Sequence, residues 1–240
     1  MRMLQTLKTL LRVKASATQR GSKFWDEWWN DKISMGLINH YLYPMLEAPL
    51  VKCSGAFVDV ANSDELLINV MLDNGLARIL CAGNGLSQEP RALARAGFDV
   101  TALDISPATS ERAKAHQWDP NRFNYFCPPG AERPGGRLEF VVGNLLELTV
   151  CPGPYDVIIE RRTVQTFPAQ ERPSVLKALA DRLANPGIFL SLCNDGSYFT
   201  TKQVFHASEA WFKEQQWTIW NGVPSSKLSN RVAWLVRSTA

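Results

Sequence analysis

The sequence has very little with which to build a metal or disulfide site. Its five cysteines, at 53, 81, 127, 151 and 193, are odd in number and scattered, and no C-x-x-C pair occurs. Only three histidines, at 40, 116 and 206, stand among 240 residues. Zinc-ligand spacing is missing, so no metal is expected, and reduced cysteines in an intracellular, cytoplasmic protein are the expected state. No apolar run approaches the length needed to cross a bilayer, which argues against a membrane partner. The excess of positive over negative charge is small too. The net charge is +3, from 26 Lys and Arg against 23 Asp and Glu. That is too little for a nucleic-acid partner unless it is focused on one face. No internal repeat or dividing linker is visible, so residues 24–240 are expected to form a single domain behind a basic segment, 1–23.

That segment carries Arg2, Lys8, Arg12, Lys14, Arg20 and Lys23 with no acid before Asp26, and Leu4, Leu7 and Leu11 fall on one helical face. Two readings stay open. A transit peptide has this composition, which would make the protein organellar. A helix docking over a ligand would have it as well.

What is present is concentrated between Arg78 and Pro107. Ile79–Ala82 is an apolar run suited to a buried parallel strand. Gly83-Asn84-Gly85 is a turn where small residues let the backbone approach a ligand. Ser87 can cap a helix running to Gly97, with Leu93, Ala94 and Ala96 facing a sheet. A second strand, Val100–Leu103, ends on Asp104, about 20 residues after the glycines, where a carboxylate can bind a ribose diol. The unit is a nucleoside-binding βαβ; the bland alternative is an ordinary βα turn with a solvated Asp104. Gln88 stands where a dinucleotide fold wants its third glycine, which favours a nucleoside without phosphate.

The rest of the chain continues an alternating α/β pattern. Phe24–Gly36 places three indoles within five residues, Trp25, Trp28 and Trp29. This is either a helix packed on the core or a lid whose aromatic face closes over a cation. Residues 37–72 read as helices. A helix over Ala108–His116 is followed by a long loop at 117–137, a strand at Leu138–Val142 and the turn Gly143-Asn144-Leu145-Leu146-Glu147. Asn144 there is either a ligand contact or a plain helix cap. A fourth strand, Tyr155–Ile159, runs into Glu160-Arg161-Arg162-Thr163, which either pairs internally or meets a ligand. A helix over Gln170–Asn185, a strand over Gly187–Cys193, a helix ending at Trp211–Gln216 and a terminal antiparallel hairpin complete the pattern.

Several of these pieces resemble known families. The stretch from Arg78 to Pro107 resembles motif I and the acidic loop of class I S-adenosylmethionine-dependent methyltransferases, which usually carry an acid where Cys81 stands and a glycine where Ser87 stands. Trp28-Trp29-Asn30-Asp31-Lys32, Leu80-Cys81, Tyr155–Arg161 and Gln170-Glu171-Arg172 are similar, in patches over residues 24–200, to motifs of the thiopurine S-methyltransferase family. Glu160 replaces that family's Asp, and Arg162-Thr163 its Gly-Ala.

The resemblance implies a Rossmann-like α/β fold. Its sheet has seven mostly parallel strands in the order 3-2-1-4-5-7-6, with helices on both faces and an N-terminal helical lid. It implies S-adenosyl-L-methionine as cofactor and a small-molecule methyl acceptor, with a thiol among the candidates. Asp104 would hold the ribose, Gly83 and Gly85 the methionine portion, and Asn144 with Leu145 the adenine. Cys81 and Ile105 belong to the same cofactor site, and Trp28 would cover it. Glu160 and Arg161 would be the catalytic pair at the methyl end.

Neither the N/D-P-P-Y/F block of nucleic-acid amino-methyltransferases nor a Pro-Cys nucleophile follows the fourth strand, since Cys151 precedes its proline. A nicotinamide oxidoreductase remains an alternative, as does a catalytically silent methyltransferase-fold scaffold.

Overall fold

The computed structural model describes residues 17–34, 75, 77–115, 134–161, 163–168, 170–194, 212–220 and 231–238. Most of the basic N-terminal segment, the helices expected across 37–72 and most of the loop at 117–137 lie outside the described residues.

The first strand, β1 (Arg78–Ala82), has every residue after Arg78 buried, as a strand covered on both faces must. It pairs in parallel with β2 (Asp99–Asp104) on one side and β4 (Tyr155–Arg161) on the other. The third strand, β3 (Arg137–Val142), extends β2, and β5 (Leu183–Asn194) extends β4. Two antiparallel strands, β6 (Phe212–Trp220) and β7 (Arg231–Ser238), complete a sheet of order β3-β2-β1-β4-β5-β7-β6. Strand order reverses between β1 and β4. In open parallel sheets the ligand crevice lies at that point, beyond the carboxyl ends of the strands.

Helices cover the sheet. Against β2 and β3 pack α2 (Glu89–Arg95) and α3 (Pro107–Ala115). The opposite side carries α4 (Arg172–Ala180), whose Val175, Leu176 and Leu179 are buried against Leu80, Ala82, Leu103 and Ile158. Those strand residues alternate with Ile79 and Cys81, which the pleat turns to the other face. Ahead of β1, α1 (Ala17–Ser34) packs on α3 and bends at Gly21, whose φ is +49°.

Two expectations change. The helix expected to run to Asn185 ends at Ala180, because Leu183 is already paired with Tyr155 in the β4–β5 ladder. Long-range pairing there outweighs the local apolar period. Phe212–Gln216 is strand, not helix, paired with β7.

Candidate functional site

Register places the expected residues at one edge of the sheet. Ala82 is opposite both Leu103 and Glu160, and Asp104 is opposite Val142. The carboxyl ends of β1, β2, β3 and β4 are therefore level, with the glycine turn in the middle.

The turn is fastened to β2 by its backbone: the Gly83 and Asn84 amides donate to the Leu103 carbonyl at 2.8 and 3.0 Å. Gly83 has φ +66° and Gly85 φ +55°, so both need the freedom of glycine. Both also lie against side chains. A Cβ on Gly83 would overlap the Thr163 hydroxyl, and one on Gly85 would stand 2.5 Å from Cζ2 of Trp29. The chain's own packing thus demands these glycines before any ligand is considered.

Asp104 ties the turn to the next helix. Its Oδ2 accepts from the Gly85 amide at 2.7 Å and its Oδ1 from the Ser106 amide at 2.9 Å. Burial pushes the Asp104 carboxyl above its ordinary value. Backbone donors at Ser106, Gly85 and Ile105 oppose that shift, and the nearby Asp26 carboxylate adds to it. Beside those backbone donors the carboxylate keeps acceptor capacity for a further donor. Ile105 therefore bears on the site through its main chain.

Cys81 is buried on β1 between Ala102 and Ile159. Burial, and then the charge of Glu89, push its thiol well above the ordinary value. Such a thiol is packing, not a nucleophile. Gln88, where a third glycine was looked for, is fully buried, and neither atom of its amide has a partner among the described residues.

The Asn144 turn hangs from Asp104, whose carbonyl accepts from the Gly143 amide at 3.0 Å. Asn144 Oδ1 accepts from the Leu146 amide at 3.0 Å, so the capping reading describes what that oxygen does here. Leu145 sends its side chain into the core beside Val164 and Leu176, which leaves only its main chain to face a ligand.

Glu160 is fully buried at the end of β4. One oxygen, Oε2, accepts from the Thr163 and Val164 amides at 2.8 and 3.2 Å and so starts the short 3-10 turn Val164–Thr166. Thr163 then donates its hydroxyl to the Ala82 carbonyl at 3.0 Å, which joins the β4 turn to the glycine turn. Glu160→Ala is expected to orphan both amides at a cost of about 3 kcal/mol, lowering the melting temperature by roughly 6–12 °C. Glu160→Gln keeps an acceptor and should recover most of that loss. A carboxylate projecting freely into a cleft would leave the melting temperature unchanged on removal. Arg161 closes β4 opposite Leu192, but its side chain lies outside the described residues.

Of the described tryptophans, Trp29 is the one against the glycine turn. Trp28 lies behind it, edge-on with a centroid separation of 4.9 Å, and Trp25 and Phe24 continue the row at 5.8 and 5.2 Å. Sequence reasoning also passed over Asp26 and Ser106. Ser106 followed by Pro107 was the available signal, since proline favours the first position of a helix and serine the cap before it.

Among the described residues no group of three His, Cys, Asp or Glu could hold a metal, and no helix is long and apolar enough to cross a membrane.

Residues 80–191 match the family model described as "Methyltransferase domain". A TehB-like SAM-dependent methyltransferase from Corynebacterium glutamicum is 15% identical, with a TM-score of 0.54 over 91% of this chain and 98% of its own. Magnesium protoporphyrin IX methyltransferase from Synechocystis, solved with bound SAM, is 17% identical, with a TM-score of 0.50 over 72% of this chain and 76% of its own. No curated protein matches the chain. The chain has the Rossmann-like fold of the SAM-dependent methyltransferases.

Proposed function

We propose that the chain is an S-adenosylmethionine-dependent methyltransferase of a small-molecule acceptor. A thiol is the first acceptor class to screen, in keeping with its resemblance to the thiopurine S-methyltransferase family. The observation that carries this reading is Asp104, held at the edge of β2 by the Gly85 and Ser106 amides. Its remaining acceptor capacity suits a ribose diol. Gln88 adds to the fit, because its buried amide has no partner among the described residues and begins the helix that follows the turn. A zwitterionic amino-acid tail offers both the donor and the acceptor that such an amide needs.

The cofactor, when bound, supplies a methyl group already activated on a sulfonium. The chain's part is to align an acceptor with it and to exclude water. The Trp29 indole beside the turn would favour a cation there. Glu160 acts as a positioning residue that sets Thr163 against Gly83, and Arg161 would orient an acceptor of negative or polar character. Asn144 and the main chain of Leu145 would border the adenine.

One observation favours the silent-scaffold reading. Thr163 and Trp29 pack directly on the two glycines, so the turn has a packing role of its own. Calorimetric titration with S-adenosylmethionine, S-adenosylhomocysteine and NAD separates the readings. Micromolar binding of either sulfur nucleoside supports the enzyme, and binding of none of the three supports the scaffold. NAD alone would make the site a dinucleotide site.

A further inference from the structure

Three hydrogen-bonded groups meet at Ser106. Its amide donates to Asp104 Oδ1 at 2.9 Å, and its hydroxyl donates to Oδ1 of Asp26 on α1. The same Oγ accepts from the Thr109 amide at 3.1 Å and from the Thr109 hydroxyl at 2.6 Å, which caps α3. One turn further along α1, Asn30 Oδ1 accepts from Arg112 of α3 at 2.9 Å. Residues 26, 29 and 30 share a helical face. The contacts that fasten α1 to α3 therefore also set Trp29 down on Gly85.

The geometry points to Asp26 as a positioning residue. Through Ser106 it latches α1 over the nucleoside site, so that closure of Trp29 and the binding of a ribose by Asp104 support each other, and α1 lifts for the nucleoside to leave. This rests on the functional reading above for the ligand, but the latch itself is a property of the free chain. Asp26 sits close enough to Asp104 for its charge to be felt there. Two carboxylates held together repel, and the diol of a ribose adds donors that offset this when α1 is down. Nothing in that arrangement needs Asp26 to touch the ligand.

The test compares Asp26→Ala and Asp26→Asn with the unaltered full chain. Hydrogen exchange over residues 17–34 is read in the free protein, and the release rate of S-adenosylhomocysteine is read by stopped-flow tryptophan fluorescence. Asp26→Ala loses the acceptor for the Ser106 hydroxyl. It should speed α1 exchange and S-adenosylhomocysteine release each by about tenfold. Asp26→Asn keeps an acceptor oxygen and should stay within about twofold of the unaltered chain on both readouts. Exchange in β1 and β4 serves as the folding control and should not move.

Equal release rates for the alanine variant and the unaltered chain overturn the coupling, whatever α1 exchange does. If the unaltered chain binds no S-adenosylhomocysteine, the functional reading falls, and α1 exchange in the free protein then decides the latch alone. Unchanged exchange in Asp26→Ala overturns it.

Discussion

Replacing Asp104 by alanine is expected to weaken S-adenosylhomocysteine binding by roughly 100-fold or more. Two hydroxyl bonds to a carboxylate are lost, at about 1.5–3 kcal/mol each. The same change frees the amides of Gly85 and Ser106, so the glycine turn and the start of α3 both slacken. Asp104→Asn separates these parts, because its amide oxygen can still accept from one of the two. It should keep most of the melting temperature while losing most of the affinity. Titration calorimetry beside a thermal melt reads both, and unchanged affinity in Asp104→Ala would end the ribose assignment.

The carboxyl is also raised above its ordinary value by burial. A raised acid holds its proton in the folded chain after the unfolded chain has lost it. Stability contributed by Asp104 therefore falls as pH rises from the unfolded value through the folded one. Nucleoside affinity should move the other way across that window, since the ionised form accepts both hydroxyls. Asp104→Asn should flatten that trend.

Local patterns made much of this architecture legible. The apolar run at Ile79–Ala82, the glycines and Asp104 lie at fixed spacing in one stretch of chain, and the structure keeps them in one unit. Local signals mislead where pairing across the sheet decides. Leu183 continues the apolar face of α4 in sequence, yet it is taken up by β4. At the site, the sequence does not show what each side chain is bonded to. Glu160 stands at the end of β4 where a ligand-facing acid was looked for, but its oxygen is bound to the turn that follows. No spacing rule shows which way a carboxylate will turn. The tryptophan motif was recognisable, but the choice of Trp29 over Trp28 depends on how α1 rolls against α3, and the Asp26 and Asn30 contacts settle that. Arg182 was the least legible. In sequence it reads as a polar position on an amphipathic helix, and in the structure it is fully buried.

Arg182→Ala is expected to be among the most destabilising single changes in the described core. The guanidinium makes no carboxylate pair in the bonds it forms. Nη1 donates to the Ala178 carbonyl at 2.7 Å, Nη2 to Glu147 and Val150 at 2.7 and 3.0 Å, and Nε to Cys151 at 3.0 Å. Desolvating a cation is costly, and it is offset here by these carbonyls and by the negative end of α4. Burial lowers the Arg182 pKa from its ordinary value, but an arginine stays charged in proteins.

Removing the side chain orphans four carbonyls and opens a cavity. The expected loss is about 4–5 kcal/mol, or roughly 10–20 °C in melting temperature. Arg182→Lys keeps the charge but not the planar fork, and should recover less than half of that loss. The effect reaches the site because three of the four carbonyls belong to the segment between Asn144 and β4. Loosening Glu147–Cys151 releases the turn that hangs from Asp104. Nucleoside affinity measured well below the melting transition should therefore fall several-fold in Arg182→Lys, although none of the bonds Arg182 makes is to Asp104 or the glycine turn. A melting temperature for Arg182→Ala within about 2 °C of the unaltered chain would show that water satisfies those carbonyls and that the arginine is not what holds the segment.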